Sequence, residues 1–174
     1  GKTIVFSRYG DGTHNLWSIR PDGSGAQQLT TFDDGTQIQG ISFVPDGSGV
    51  LLSLFHAHQQ DLWFFQIADK KLYRLTRTEF TETDPKVGPE GLAWFSSDRD
   101  GVYNVYTLDP STGEVRQKTN LLGGAYGVDP VPGGHLLYTG FTGHGFRIHA
   151  LKGSELLDET VDYPGVCRSV GCPD

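Results

Sequence analysis

The stretch FSRYGDGTHNLW at residues 6–17 returns in altered form as FSSDRDGVYNVY at residues 95–106. In both copies an aromatic residue and a serine are followed by an Asp-Gly pair, and then by an asparagine, an aliphatic residue and a ring. Asp-Gly between two apolar runs is a hairpin signal, because glycine readily adopts the backbone conformation that a tight turn requires. The stretch therefore predicts a β-hairpin that occurs more than once.

Weaker copies of this stretch occupy the rest of the chain. A large apolar residue precedes a hydroxyl residue at Phe6, Leu52, Phe95 and Tyr138, at intervals of 46, 43 and 43 residues. Ten residues after each comes an aliphatic residue followed by a ring, at Leu16-Trp17, Leu62-Trp63, Val105-Tyr106 and Ile148-His149. The segments QQLT, YRLT, RQKT and, weakly, LDET close the copies. Four copies thus account for almost the whole chain.

Each copy is predicted to hold four strands, which in the second copy are ISFV, VLLSLF, DLWFFQI and KLYRLT. The pentapeptide PDGSG occurs at 21–25 and 45–49, where it is predicted to form turns within the first and second copies. The middle strands are nearly all apolar, which favours sheets covered on both faces. A period of about 40 to 45 residues with four antiparallel strands is typical of a propeller blade. We therefore predict an all-β fold, a β-propeller of four four-stranded antiparallel blades.

The pattern Phe-Ser-x-x-x-Asp-Gly, then NLW or NVY, then LT resembles the WD-like repeat of TolB-type β-propellers. The segment FSSDRDGVYNVYTLD at 95–109 is especially similar, whereas YTGFTGHGFRIHAL in the fourth copy keeps the spacing but loses Asp-Gly. The resemblance implies a single TolB-like propeller domain over 1–166, followed by a cysteine-containing tail, 167–174. The expected blades are 1–36, 37–82, 83–125 and 126–160, with a closing strand at 161–166. Such blades occur in periplasmic envelope proteins and before serine peptidase domains, so the resemblance specifies fold better than function.

The first copy lacks its own first strand. We expect residues 161–163 to pair beside residues 4–6 and so complete blade one, because this pairing would hide two open strand edges. Closure within the chain would give a four-bladed propeller. The same strand could instead complete blade one of a neighbouring molecule, giving head-to-tail rings or fibres. A third alternative is that the four blades are cut from a longer propeller; the absence of methionine favours a processed or excised piece.

Composition restricts the partners and the location. The chain has 174 residues with 14 basic and 21 acidic side chains, a net charge of −7, and its basic residues are scattered, so nucleic acid is not an expected partner. No apolar run approaches the roughly 20 residues of a spanning helix, so no transmembrane segment is expected. The two cysteines, Cys167 and Cys172, are predicted to form a small disulfide loop or a bond to a neighbouring chain. The resemblance to TolB-type propellers implies the periplasm or the extracellular space, and that location favours oxidised cysteines.

Motifs for catalysis are absent. The sequence contains no Gly-x-Ser-x-Gly, P-loop, dinucleotide-binding or His-Glu-x-x-His stretch, so we do not expect an enzyme or a bound cofactor. Asp98, Asp100 and Asn104 resemble the start of a calcium loop, but no glutamate follows at the EF-hand distance, which favours a plain hairpin turn. Weak candidates for zinc or copper ligands are His56, His58 and His144, which as hairpin-tip residues are more simply read as solvated.

A binding surface is the remaining candidate site. The turns between second and third strands and the links between blades should meet at one end of the propeller, where aromatic and arginine anchors suit a protein interface. The candidate residues are Tyr9, Phe32, Phe55, Phe80, Arg99, Tyr103, Tyr126 and Phe141, unless several of these rings pack under their own loops. We hypothesise a non-catalytic extracytoplasmic scaffold for protein–protein interaction in the cell envelope or outside the cell. The alternatives are a structural subunit that self-assembles by strand exchange, and a metal- or carbohydrate-dependent enzyme that uses the axial funnel.

Overall fold

The fold is described for residues 2–167 in a computed structural model. Over these residues the chain forms fifteen β-strands and a one-turn 3₁₀ helix, Gly153–Glu155. Sheet one contains β1 (Ile4–Gly10), β2 (Thr13–Ile19) and β3 (Gln27–Gln28); sheet two contains β4 (Gln37–Phe43), β5 (Gly49–His56), β6 (Gln59–Gln66) and β7 (Lys71–Arg74). Sheet three contains β8 (Glu82–Val87), β9 (Ala93–Ser97), β10 (Asn104–Leu108), β11 (Val115–Gln117) and β15 (Glu159–Val161); sheet four contains β12 (Ala125–Val131), β13 (His135–Thr142) and β14 (Gly145–Leu151).

The chain is all-β, and every strand pair within the sheets is antiparallel, as predicted. Both PDGSG segments form the predicted turns. In each the aspartate accepts a hydrogen bond from the backbone N–H two residues later, at 2.9 Å for Asp22 and Ser24 and 2.8 Å for Asp46 and Ser48. The following glycines, Gly23 and Gly47, have φ of +84° and +76°, a conformation that a side chain would strain. The same five residues thus serve the same local geometry twice.

Consecutive sheets pack face to face through a repeated core. Leu16 of sheet one packs against Leu52 and Trp63 of sheet two, and Leu62 of sheet two packs against Phe95 and Tyr106 of sheet three. We call the face that a sheet turns toward the next sheet its forward face, and the opposite one its backward face. Neighbouring strand residues point to opposite faces, so an aliphatic residue followed by a ring supplies both. Sheets three and four repeat the arrangement with Val105 and Tyr138.

A polar lock fastens the outer strand of each of the first three sheets. In sheet three, Asn104 Oδ1 accepts hydrogen bonds from the Thr119 hydroxyl at 2.9 Å and from the backbone N–H of Leu121 at 2.8 Å. Thr119 Oγ1 in turn accepts the N–H of Val105 at 2.9 Å. Asn15 and Thr30 form the same lock in sheet one, and Asp61 and Thr76 form it in sheet two. The threonine of the QQLT and RQKT segments and the asparagine of the NLW and NVY segments form this lock, which accounts for their recurrence in the sequence.

The predicted closure of the ring within the chain is wrong. Among the described residues β1 pairs with β2 alone, and β15 pairs with β11 at the outer edge of sheet three, with Val161 opposite Val115. Sheet four consequently has three strands, and LDET does not supply its outer strand. The first strands β4, β8 and β12 lie side by side, but sheets one and four make no substantial contact in the described chain. The four sheets therefore form part of a propeller, not a closed ring.

Burial and hydrogen bonding of Tyr163 explain the path of the C-terminal segment. Its ring lies 6.0 Å from each of the Phe95 and Tyr106 rings, and its hydroxyl donates to Glu82 at 2.7 Å. Val166 then pairs with Thr76 of sheet two. A position beside β1 offers no such buried acceptor, because β1 is largely exposed. The segment therefore seals the outer junction between sheets two and three.

Among residues 2–167 no helix has the length and apolar character needed to cross a membrane.

Candidate functional site

An aromatic cleft lies at one end of sheets three and four. Its rings form a continuous series: Tyr103 lies 4.9 Å from Tyr126, Tyr126 lies 6.0 Å from Phe146, and Phe146 lies 5.0 Å from Phe141, measured between centroids. Beside this series is a hollow of about 740 Å³, a size that holds a few side chains of a bound segment. The hollow is lined by Asp98, Gly101, Val102, Tyr103, Leu122, Gly123, Tyr126, Phe141, Thr142 and Gly143.

The loops that carry these rings are held by hydrogen bonds across the sheets. Asp98 Oδ1 accepts the backbone N–H of Thr81 at 2.8 Å, which ties the β9–β10 turn to the link before sheet three. The N–H of Ala125 donates to the carbonyl of Tyr103 at 2.7 Å. Asp84 Oδ2 accepts the N–H of Gly127 at 2.8 Å. The aromatic cleft is therefore preorganised, which lowers the entropy lost when a ligand binds.

The cleft combines apolar rings with acidic groups. Tyr103 and Tyr126 also border a second hollow of about 560 Å³, which reaches Gln60, Thr83 and Asp84 near the first strands. Burial raises the pKa of Tyr103, and the carboxylates of Asp98 and Asp84 raise it further. Its hydroxyl is therefore protonated at neutral pH and able to donate. Such a surface suits an apolar side chain flanked by a basic or hydrogen-bonding group.

The eight predicted surface residues separate into different environments. Tyr103, Tyr126 and Phe141 come together in the aromatic cleft, as described. Phe32 packs against the core between sheets one and two, which is the alternative that the sequence left open. Tyr9 is exposed and contacts only the ring of His14 among the aromatic pairs, at 5.4 Å, and Phe55 lies on the separate β5–β6 hairpin. These three residues do not belong to the cleft.

Arg99 and Phe80 belong to a second site, a buried polar cluster between sheets two and three. The guanidinium of Arg99 lies 4.5 Å from the centroid of the Tyr163 ring and 5.9 Å from that of Phe80. Its Nη1 atom is buried and has no hydrogen-bond partner within residues 2–167. Arg99 thus clamps the C-terminal segment onto sheet three through cation–π contacts and does not project from the surface.

Glu82 is the centre of the polar cluster and is fully buried. Its Oε1 atom accepts hydrogen bonds from Thr78 at 2.6 Å and Tyr163 at 2.7 Å, and its Oε2 atom lies 3.0 Å from the hydroxyl of Thr76. Burial, with the nearby Asp61 carboxylate, raises the pKa of Glu82 to about 8. Because the hydroxyl of Thr76 carries one hydrogen and also lies 3.4 Å from Asp61, the neutral Glu82 carboxyl completes the network by donating to Thr76.

Asp61 differs from its counterparts in being charged and paired. Arg74 Nη2 lies 2.5 Å from Asp61 Oδ2, and Arg74 Nε donates to the carbonyl of Thr76 at 3.0 Å. In sheets one and three the same carbonyl bond is made by the amides of Gln28 and Gln117. The two locks with an asparagine therefore have a glutamine partner, and the lock with an aspartate has an arginine partner. This pairing is expected, because burying a carboxylate without a basic partner is costly.

Of the three weak metal candidates, His56 and His58 lie at the tip of the β5–β6 hairpin and His144 lies in the β13–β14 turn. His56 Nδ1 lies 2.9 Å from the Thr36 hydroxyl and 3.2 Å from Asp34, whereas His58 and His144 are exposed in different hairpins. Asp98 accepts the Thr81 N–H, Asp100 accepts the Tyr106 hydroxyl at 2.5 Å, and Asn104 belongs to the lock of sheet three. In the part of the chain that the structure covers, no group of three or more His, Cys, Asp or Glu side chains is placed to hold a metal ion.

The cysteine prediction falls partly outside the described residues. Cys167 is buried, and its backbone N–H donates to the carbonyl of Leu75 at 2.9 Å, which continues the contact of the C-terminal segment with sheet two. Cys172 lies beyond residue 167. The disulfide between Cys167 and Cys172 stays a prediction.

Several residues of these sites were missed by sequence reasoning. Phe146 is absent from the predicted surface residues, although an apolar ring beside glycine in a hairpin could have indicated it. The exchange of Asn and Gln for Asp61 and Arg74 between the repeats was a visible signal for a buried ion pair. Glu82 and Tyr163 carried no local signal, because they are 81 positions apart in sequence.

Comparison with known proteins identifies the fold. No protein-family model matches the sequence, and no curated protein matches it. A TolB-type structure from Agrobacterium tumefaciens superposes with a TM-score of 0.79 at 18% identity, over 92% of this chain and 61% of that chain. TolB from Acinetobacter baumannii matches with a TM-score of 0.58 at 14% identity, over 96% of this chain and 53% of that one. The fold is a TolB-like β-propeller fold.

Peptidases share the same fold over a smaller part of their length. A puromycin-hydrolyzing peptidase from Mycobacterium tuberculosis matches with a TM-score of 0.68 at 18% identity, over 93% of this chain and 30% of that one. The present chain thus spans about three fifths or less of each TolB structure and under a third of this peptidase. At these identities the similarity concerns the fold alone.

Proposed function

We propose that this chain is a non-catalytic propeller module that binds a protein or peptide segment in the aromatic cleft. The observation that carries the proposal is the convergence of Tyr103, Tyr126 and Phe141 on one hollow at the loop end of sheets three and four, with the Phe146 ring packed against Tyr126 and Phe141. Aromatic anchors on rigidly held loops are typical of interaction hot spots. Leu122 is 99% exposed on the rim of the hollow, so a bound segment that covers this side chain would gain apolar contact area.

The chemistry of the cleft indicates the kind of segment that it accepts. Ring faces and Leu122 favour an aliphatic or aromatic side chain, while Asp98 on the same wall favours a basic neighbour. The net charge of −7 acts in the same direction at longer range, because it attracts cationic partners. We therefore propose an extended segment with one apolar anchor next to Lys or Arg.

The non-catalytic part of the proposal is supported by the sequence of these 174 residues, in which no Gly-x-Ser-x-Gly nucleophile stretch is present. An extracytoplasmic location is part of the same proposal. It is supported by the TolB-like fold and by the pair of cysteines near the C-terminal end.

Selection from a random twelve-residue phage-displayed library on the immobilised chain tests this function. We expect enriched peptides with an apolar anchor beside a basic residue, and titration calorimetry of one synthetic peptide should locate the site. Tyr103→Ala and Phe141→Ala should each weaken its binding by about tenfold or more, as for interface anchors. Tyr9→Ala, an exposed ring outside the cleft, should leave binding unchanged. Failure to enrich peptides, or equal effects of the three variants, would contradict the proposal.

A further inference from the structure

A second hollow lies beside the aromatic cleft, next to the first strands of sheets two to four. Its volume is about 560 Å³, and Tyr103 and Tyr126 line it as well as the cleft, so these two rings form a wall that both hollows share. We call it the axial hollow, because the first strands of propeller blades surround the central axis. Gln60, Thr83 and Asp84 line its inner part. They belong to junctions inside the described chain.

The axial hollow is rich in hydrogen-bond acceptors. Gln60 Nε2 donates to Ser53 Oγ at 3.1 Å, which leaves the carbonyl oxygen of this amide without a donor among residues 2–167. The hydroxyl of Thr83 has no partner in the same residues. One oxygen of Asp84 accepts the N–H of Gly127 at 2.8 Å, and Oδ1 accepts no hydrogen bond there. No lysine, arginine or histidine lines the hollow, so it suits a ligand that brings donors.

Asp84 gives the axial hollow its negative charge. It is the one carboxylate in the lining, and within residues 2–167 it forms no ion pair. Its φ is +53°, and the equivalent positions of sheets two and four hold Gly40 and Gly127. An asparagine also tolerates this φ and could accept the same N–H of Gly127. Neither the backbone nor that hydrogen bond therefore requires a charge at this position.

We propose that Asp84 binds the basic side chain of the segment whose apolar anchor occupies the aromatic cleft. The inference rests on the proposed function and adds the place where the Lys or Arg binds. Neighbouring side chains of an extended segment point to opposite sides. A segment that crosses the wall of Tyr103 and Tyr126 would therefore direct its anchor into the cleft and the adjacent side chain into the axial hollow.

The rings and the carboxylate act together on a cation. An ammonium or guanidinium group in the axial hollow contacts the tyrosine rings, whose π-systems attract cations, and pairs with Asp84. Asp98 lines the cleft instead, and its Oδ1 already accepts the Thr81 N–H at 2.8 Å. Asp98 therefore adds attraction at longer range, whereas Asp84 supplies the direct ion pair and selects the basic residue.

A small cation tests the axial hollow without any peptide. Titration of n-butylguanidinium into the isotope-labelled chain should shift the amide resonances of Thr83 and Gly127 to saturation, whereas n-butylurea, which is neutral and of similar shape, should not. Asp84→Asn should weaken this binding by about tenfold or more, because it removes the charged acceptor and keeps the bond to Gly127. Asp98→Asn should weaken it by less than about threefold. Asp69→Asn, which removes the same charge from the β6–β7 turn, is the matched control.

The peptide selected on the immobilised chain tests the same contact in its full context. Replacing its arginine by citrulline, or its lysine by norleucine, should weaken binding to the wild type by about tenfold or more in calorimetry. The same replacement should change binding to Asp84→Asn by less than about twofold, because the ion pair is already lost. The comparison on the wild type needs no protein variant, so it does not depend on how Asp84→Asn folds.

The outcomes separate this proposal from the proposed function. Equal binding of n-butylguanidinium and n-butylurea, or equal affinity of Asp84→Asn and the wild type for the guanidinium, would overturn the role of Asp84. A selected peptide that ignores Asp84→Asn and the neutral replacement would also overturn it, while the cleft would remain the binding site. If no peptide is enriched and guanidinium binding still depends on Asp84, the cleft proposal fails and the axial hollow stands as a cation site.

Discussion

Replacement of Glu82 by glutamine should change how stability depends on pH. In the folded chain the neutral carboxyl of Glu82 fits a network with Thr76, Thr78 and Tyr163, and burial raises its pKa from 4.5 to about 8. Because the folded state holds this proton more tightly than the unfolded state, its stabilising effect is complete below pH 4.5. The effect is lost as the pH rises through about 8. A glutamine amide can keep the same hydrogen bonds without ionising.

The size of the effect follows from the shift. Each pH unit between the unfolded and folded pKa values corresponds to about 1.4 kcal/mol of unfolding free energy. The stability of Glu82→Gln relative to the wild type should therefore increase by up to about 4 kcal/mol between pH 5 and pH 9. This is a large fraction of the 5 to 15 kcal/mol that is usual for a domain, so it is readily measurable.

Urea unfolding at pH 5, 7 and 9, followed by tryptophan fluorescence, measures this difference. Glu79→Gln is the matched control, because it removes the same charge from an exposed side chain and should change stability little at any pH. All other titrating groups are common to the wild type and the variant, so their effects cancel in the comparison. A difference between Glu82→Gln and the wild type that changes by less than about 1 kcal/mol from pH 5 to pH 9 would refute the reasoning.

The polar lock, the C-terminal segment and the cleft give three further predictions. Asn104→Asp should lower the unfolding free energy by about 3 kcal/mol, because it buries an unpaired charge. Adding Gln117→Arg should recover at least about 1 kcal/mol, because the new arginine would pair with the aspartate as Arg74 pairs with Asp61. No recovery in urea unfolding of the double variant would contradict this. Tyr163→Phe should speed amide hydrogen exchange in residues 159–167, and unchanged exchange would show that its hydroxyl does not hold the segment. Gly123→Ala would push a methyl group into the carbonyl oxygen of Phe141 in the cleft, so it should weaken binding of the selected peptide, whereas a methyl group at Gly143 would meet nothing within 4 Å. Equal affinities of the two variants in calorimetry would argue against a preformed cleft.

Local physics explains why so much of the fold was predictable. An Asp-Gly turn needs only its own residues, and alternation along a strand assigns Leu16 and Trp17 to opposite faces without any knowledge of their neighbours. The repeat then identifies equivalent positions in each sheet. For the same reason the aromatic residues of the cleft were largely found, since turns and links of successive sheets must meet at one end.

The same reasoning failed where two partners were both possible. The segment at 159–163 has strand character, but strand character does not say which open edge it joins. The exposed edge of β1 and the edge of β11 were equivalent in sequence terms. Phe32 and Arg99 were predicted to be exposed but pack inward. The local sequence did not show this, because a ring or a guanidinium near a turn can point either way.

The amino-acid sequence alone determined the repeated sheet, its turns, its lock residues and the two-sided core pattern, because each depends on contacts within about one repeat. Tertiary structure decided which strand edge the C-terminal segment joins, the course of that segment, and the buried position that raises the pKa of Glu82. Those features depend on groups brought together from distant parts of the chain, such as Tyr163 and Glu82, and on how much water each group loses when they meet.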